Sequence, residues 1–407
     1  MLLTVSKRLE FSASRRLFVP RWTASENLVA FGPESDARYG TGRNYVAYFV
    51  FTGAVDAETG MLINISEIKR RAGDIIDERY DHKFLNQDNP DFHSAAAGPP
   101  TCENIAHQLY VDVAPRFSDN AAKLVAVHLR ESPGRSATYY ASGACDANYW
   151  FEFSAARETR SPYLSAAENE KLFGPAVSTH GHNYRARLSF ETEKMAREQP
   201  IVRHDAVTKC IDSLRRELDH RHLNRDVEAF KTRPGTTESL AEYMHERVNA
   251  LVPLHRIRLH EREDFFAEVW DDGSMFAGMR APFSAAHRLH VRSFSETQNT
   301  ELFGKCNNPA GHGHNYIVEA TIGGDYDERT GTLCDFAAFQ SVLADALGPW
   351  RDRHLDLETE DFRENPSTGE NIVRVLWPKI DNRVRQRLVR LRLWETANNR
   401  FTLRRTS

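Results

Sequence analysis

Five short motifs recur three times, in the same order, along this chain of 407 residues, and that recurrence restricts the fold more than any other feature. FSASRRL begins at Phe11, FSAARET at Phe153 and FSAAHRL at Phe283. An Asn-Tyr pair then opens an apolar run at Asn44-Tyr45, Asn183-Tyr184 and Asn315-Tyr316. Next come YDHKFLN from Tyr80, LDHRHLN from Leu218 and WRDRHLD from Trp350, then PTCENIA, TTESLAE and STGENIV, then VHLRE, IRLHE and LRLWE. A repeat as long as a small domain means three copies of one folding unit. The polar or glycine-containing stretches ASGACDAN and DDGSMFAG place the boundaries, predicting units at residues 1–145, 146–276 and 277–407. No low-complexity linker separates them, so the units are expected to pack on one another.

Within a unit the patterning predicts two strands, two helices and two strands, an α+β fold. NYVAYFVFTGAV alternates and is rich in aromatic and β-branched residues, as a half-buried strand requires. Ile65, Ile68, Ala72, Ile75 and Ile76 follow at helical spacing behind Asn64 or Ser66 as the cap. PTCENIAHQLYVDVAPRF reads as the second helix, and AKLVAVHLRES with RSATYYAS as a closing hairpin.

Composition bears on what the chain can bind. With 53 Lys and Arg against 57 Asp and Glu the formal charge is −4, which gives no footprint for nucleic acid or acidic lipid. No apolar run approaches a membrane span or the core of a signal peptide. The five scattered cysteines argue for a reducing compartment, so a cytoplasmic protein is expected.

Chemistry concentrates in the third unit. His312 and His314 are two apart, so on a strand both imidazoles leave the same face, and His287 lies on the preceding predicted strand, where antiparallel pairing brings it alongside. Three neutral imidazoles with an open fourth position is the arrangement of a catalytic zinc. HGH by itself could equally be a turn with solvated histidines; His287 and the flanking LFGKCNNPAGHGHNY favour the ligand reading.

That segment resembles the signature of 6-pyruvoyltetrahydropterin synthases, closely in the third unit and loosely in the first. The resemblance implies the T-fold, three units closing into one pseudo-trimeric barrel with helices outside. It implies Zn2+ held by His287, His312 and His314, Cys306 as catalytic base, and Glu395 and Thr368 as anchors of the pterin. It further implies a lyase acting on 7,8-dihydroneopterin triphosphate, and two chains stacked as a homodimer of pseudo-trimers. The related 6-carboxytetrahydropterin synthases of queuosine biosynthesis usually have a shorter cysteine-to-histidine gap, so the spacing leans toward the pyruvoyl branch. A pterin-binding protein without chemistry is the third alternative, with Glu131, Glu261 and Glu395 kept for binding.

The first two copies have lost parts. The second keeps His180 and His182, but Arg157 stands where His287 does; the first has Arg15, Thr41 and Arg43 at the three ligand positions. A guanidinium cannot be deprotonated to ligate a metal, so one zinc per chain is expected. The third unit has its own loss. The family's Asp-His pair, the proton relay that a neighbouring subunit supplies, matches Asp81-His82 and Asp219-His220, whereas the third unit offers Arg351-Asp352 there. The resemblance therefore implies a composite site, with the relay supplied by the first or second unit, more readily the second. The rival is a relay in the third unit itself through His354 or Asp352.

Overall fold

A computed structural model of the chain describes residues 1–93 and 98–406. Each unit opens on a long antiparallel pair: Leu2–Arg15 with Thr41–Thr52, Cys145–Arg157 with His180–Thr192, and Met275–His287 with His312–Gly323. The first two recurring motifs meet in that ladder. Phe11 lies opposite Tyr45, Phe153 opposite Tyr184 and Phe283 opposite Tyr316, and the rings stack with centroids 4.9, 5.0 and 4.8 Å apart. Such a pair is worth about 0.5–1.5 kcal/mol beyond its buried area. It also locks the register, because a one-residue slip would put the two rings on opposite faces of the sheet. Beside it Ser12, Ser154 and Ser284 bond to the side-chain oxygens of Asn44, Asn183 and Asn315.

A short helix that the strand-and-helix reading omitted sits between the paired strands: Ala24–Phe31, Ala166–Phe173 and Glu296–Phe303, each opened by a reciprocal capping box at Thr23, Ser165 or Ser295. The two main helices of each unit follow. They are Ile65–Arg79 and Cys102–Val113, His204–Leu218 and Thr237–Asn249, and Phe336–Leu347 and Gly369–Asp381. Asn64 is the cap of the first, and its buried stripe is Ile68, Ala72, Ile75 and Ile76. Hairpins Lys123–Ser132 with Arg135–Tyr140, Arg256–Arg262 with Phe265–Trp270, and Arg387–Thr396 with Asn399–Arg404 close the units.

Three equivalent junctions turn these pieces into a ring. Arg135–Tyr140 pairs with Cys145–Arg157, Phe265–Trp270 with Met275–His287, and the last strand, Asn399–Arg404, with the first, Leu2–Arg15. The twelve long strands form a closed antiparallel barrel without a free edge, the arrangement expected of three tandem units. Strand residues line its bore, while the main helices cover the outer face over one continuous apolar core that runs from Leu3 to Leu403.

Loops cross the seams on the outside. Thr368 Oγ1 donates to Gly60 O at 2.8 Å, and Leu62 N donates to the Glu370 carboxylate at 2.9 Å. The second unit repeats this against the third, with Thr236 bonded to Gly331 O and Leu333 N to Glu238. Gly60 and Gly331 have φ of 69° and 74°, and a Cβ on them would lie 2.4 Å from Asn371 Nδ2 and 2.3 Å from Pro234 Cβ. Both conformation and space thus require glycine there. No helix among the described residues is long and apolar enough to cross a membrane.

Candidate metal centre

The ladder that stacks Phe283 on Tyr316 continues to its end with His287 directly opposite His312, and His314 two residues further along the same strand. One ring nitrogen from each of the three lies within 4.8 Å of the others. His287 Nε2 and His312 Nε2 are 3.1 Å apart, close to the ~3.4 Å edge of a tetrahedron with ~2.1 Å zinc–nitrogen bonds. His287 is fully buried, and its Nδ1 faces the Ser367 carbonyl at 3.1 Å. With that nitrogen carrying the proton, Nε2 keeps its lone pair for a metal, as an outer-shell carbonyl does for ligating histidines generally. Burial holds His287 at about 4, and His312 is lowered by the same cause. Both imidazoles are therefore neutral at physiological pH, the form that ligates. The donors present fit a zinc-type ion.

The remaining predicted residues divide into those the fold brings to this triad and those it does not. Glu395 Oε1 stands 3.9 Å from both His287 Nε2 and His314 Nε2, and its other oxygen accepts from Asn399 Nδ2 at 2.9 Å. It has no arginine partner among the described residues, so it keeps acceptor capacity toward the site. Cys306 lies half-buried in the turn Gly304–Asn307, where its carbonyl accepts from Leu289 N at 2.9 Å. Burial, and then the Glu395 charge, push its thiol up, so the neighbourhood of a bound dication is what would favour thiolate. Thr368 is spoken for. It caps helix Gly369–Asp381, accepting from Asn371 N, while its hydroxyl proton goes to Gly60.

The two Asp-His pairs stay on their own units. Ser12 N donates to Asp81 and Ser154 N to Asp219, each at 2.8 Å, and the backbone N–H groups of His82 and His220 return to those serine carbonyls. Asp352 N reaches Ser284 O in the same way. His82, His220 and Asp352 share a left-handed φ of 55°, 56° and 58°, so Arg351-Asp352 occupies the pair's place in the third unit. His82 and His220 are 84% and 83% exposed, with Nδ1 on their aspartates at 2.7 and 3.1 Å. Neither pair lines the cavities beside the triad.

Besides His354, the third unit's own candidate for the relay, two residues at the centre were not singled out from sequence, Asp356 and Glu370. His354 lines the cavities beside it, with both ring nitrogens buried and unpartnered. Asp356 lies 3.9 Å from His354 and accepts from Arg288 N and from Ser367. Glu370, bonded to Leu62 N, is buried and its carboxyl is pushed up to about 7. The ENIA, ESLA and ENIV repeats carry a glutamate at this position every time, as Glu103, Glu238 and Glu370, which was a readable signal.

In the other two units an ion pair occupies the corresponding space. Arg15, fully buried, bonds Glu34 at 2.7 Å and Glu131 at 2.9 Å, and Arg43 also pairs with Glu34. Arg157 bonds Glu261 at 2.5 Å and Thr237 at 3.2 Å, and His182 Nε2 lies 3.2 Å from the same glutamate. Glu34 and Ala176 take the place of Cys306. Among the described residues only His287, His312 and His314 form a metal-capable group.

A family model described as 6-pyruvoyl tetrahydropterin synthase matches residues 4–142, 148–272 and 278–406. The chain belongs to the 6-pyruvoyl tetrahydropterin synthase family, which it contains in three tandem copies. It is 37% identical over 132 residues to the 6-pyruvoyl tetrahydrobiopterin synthase of Drosophila melanogaster, a match covering 32% of this chain and 79% of that protein. It is also 37% identical over 122 residues to the Homo sapiens enzyme of the same name, covering 30% and 84%. A solved structure of 6-pyruvoyl tetrahydropterin synthase from Caenorhabditis elegans aligns with 34% identity and a TM-score of 0.31, covering 32% of this chain and 95% of that one.

Proposed function

We propose that this chain, an enzyme of the 6-pyruvoyl tetrahydropterin synthase type and so a lyase of pterin synthesis, converts 7,8-dihydroneopterin triphosphate to 6-pyruvoyltetrahydropterin with loss of triphosphate. Its single metal-dependent centre lies in the third unit. The observation that carries this reading is Glu395. Of the three equivalent glutamates it is the one beside three histidines and without an arginine. A carboxylate so placed accepts the ring N–H and amino donors of a pterin, and charge-assisted bonds of that kind orient a ligand as well as hold it.

His287, His312 and His314 hold zinc in this reading; when bound, the ion supplies Lewis acidity toward the hydroxyls of the substrate side chain. Cys306 removes the side-chain proton, and an Asp-His pair returns one. Because Asp81-His82 and Asp219-His220 face solvent on their own units, the relay comes from a second chain docked on the first, in a homodimer. The second reading is His354 in the same unit, favoured by its two unpartnered nitrogens beside Asp356. The compartment proposed is the cytoplasm.

The test is incubation with 7,8-dihydroneopterin triphosphate and mass analysis of the products. The expected products are 6-pyruvoyltetrahydropterin and inorganic triphosphate. 6-Carboxytetrahydropterin would assign the chain to the queuosine branch, and pterin binding without turnover would make it a binding protein.

A further inference from the structure

The bore of the barrel is a second charged site, and it shares no lining residue with the metal centre. A cavity of about 480 Å3 opens there between strands of all three units, within the ~300–1,000 Å3 range of small-ligand sites. Its charge is one-sided. Glu319, fully buried in the wall, is approached by Arg280 at 2.9 Å, Arg392 at 3.1 Å, Arg258 at 3.7 Å and Arg390 at 3.9 Å. Glu268 is shared in the same way by Arg258, Arg390 at 3.5 Å and Arg187 at 3.6 Å. Asp146 already accepts from Tyr140 and Asn148, and lies 3.9 Å from Arg256. Arg400 and Arg404 have no ion pair among the described residues.

Donors are left over as well as charge. Arg187 Nε, Arg256 Nε, Arg390 Nε and Trp270 Nε1 are buried without an acceptor. Among the described residues the side chains of Arg187, Arg256, Arg400 and Arg404 donate no hydrogen bond. Leaving buried donors unmet is costly, and more so for charged groups, so the wall lacks an acceptor with several oxygens. The field is strong enough to be felt by the arginines themselves. Burial and the neighbouring guanidinium groups draw Arg187 down to about 9, and burial keeps His128 and His260 neutral at about 3. Fixed guanidinium forks match the oxygens of phosphate better than a single compact anion such as chloride.

We propose that the bore is a binding site for a small, multiply charged oxyanion of the condensed-phosphate class, held by Arg187, Arg256, Arg400 and Arg404. The site is independent of the reaction assigned to the metal centre. The probe is inorganic tripolyphosphate, titrated calorimetrically into the full chain, with orthophosphate and sodium chloride of matched ionic strength as references. Saturable binding near one per chain is expected, with a rise in Tm that neither reference reproduces. Arg400→Gln/Arg404→Gln should weaken it about tenfold or more, the loss of a charge-assisted hydrogen bond, while without the anion the variant is no less stable than the parent. Arg187→Gln is an independent second removal if the double variant folds poorly. His312→Ala should bind tripolyphosphate as the parent does, which separates the bore from the metal. An equal Tm rise from sodium chloride, the absence of saturable binding, unweakened binding by both arginine variants, or loss of binding in His312→Ala would each overturn the proposal.

Discussion

The second and third units use the same ladder, the same aromatic stack and the same strand glutamate, yet one ends in an ion pair and the other in a metal-ready triad. The difference starts at one position. Where the first strand ends in His287, the opposing His312 and His314 find a third imidazole and Glu395 is left open. Where it ends in Arg157, the guanidinium reaches Glu261 and neutralises it, and His182 turns to the same carboxylate. The first unit goes further, with Arg15 held between Glu34 and Glu131. A buried carboxylate must be compensated, and an arginine from within the fold does so without any ligand. The first two units thus keep the geometry that closes the barrel while giving up the open carboxylate that Glu395 offers.

The largest effect that could break this contrast is on metal content. The native chain should carry about one zinc, His312→Ala should carry almost none and lose turnover, and His182→Ala should keep both. Elemental analysis beside activity decides it. Two metals per chain, or loss of metal from His182→Ala, would mean that the second unit is not closed by its arginine.

Next in size is the relay, because a general acid–base partner is typically worth ~10²–10⁴-fold in rate. With the relay in trans, His220→Ala or His82→Ala should lower kcat by that range with zinc content unchanged, and His354→Ala should not. A mixing experiment sharpens this. Chains made inactive by Cys306→Ala and chains made inactive by the histidine change should recover activity when dissociated and reassembled together. Absence of recovery, with His354→Ala alone impaired, would assign the relay to the third unit and make the exposed pairs bystanders.

A third effect is on stability. Arg15→Met leaves buried Glu131 only the more distant Arg135 at 3.9 Å and should cost about 3–5 kcal/mol, whereas replacing both partners, as Arg15→Met/Glu131→Met, should return most of it. The same pair of changes at Arg157 and Glu261 should cost less, since Glu261 is 13% exposed against 4% for Glu131 and retains Thr237 and His182. Chemical denaturation of the four variants measures this ordering. An Arg15→Met chain as stable as the parent would mean that the arginine does not fill the vacated site.

Much of this was legible in the residues, and the parts that were not have identifiable causes. The triple repeat is visible because each motif is a structural device: Phe and Tyr of FSA and NY stack across the ladder, and the motif glutamates face a seam or a site. Strand spacing alone places His312 and His314 on one face, and antiparallel register supplies His287. The short capped helices were readable too, since T-x-x-E, S-x-x-E and S-x-x-Q stand at Thr23, Ser165 and Ser295. They escape a periodicity search because eight residues give barely two turns. The position of the Asp-His pairs was not readable, because a motif's spacing fixes neither which strand it returns to nor which face it presents. The bore was hidden for a related reason. Arg187, Arg256, Arg390 and Arg404 come from separate strands, and only closure of the barrel sets them around one space.

The smallest effect compares the seam glutamates under pH. Burial pushes the carboxyls of Glu238 and Glu370 up to about 7 from the usual 4.5. A carboxyl raised on folding holds its proton longer in the native state, so the native chain binds more protons than the unfolded one between those values. The stability tied to each group is therefore complete below about pH 4.5, falls as pH rises toward 7, and is lost above it. Glu238→Gln, which keeps an acceptor for Leu333 N, should accordingly gain stability over the parent at pH 8 but not at pH 5, by at most about 3 kcal/mol. His128 and His260, held neutral, pull the parent's own profile the other way below pH 6.5, so the quantity to read is the difference between variant and parent at each pH. Glu370→Gln should show the same pH 8 gain. It touches the side of the open centre, where the Glu395 charge adds to the upward push, so it should also change the pH profile of kcat, whereas Glu238→Gln should not. A gain of the same size at both pH values would show that neither carboxyl is protonated in the fold. A kcat profile altered by Glu238→Gln would instead connect the second unit to the chemistry of the third.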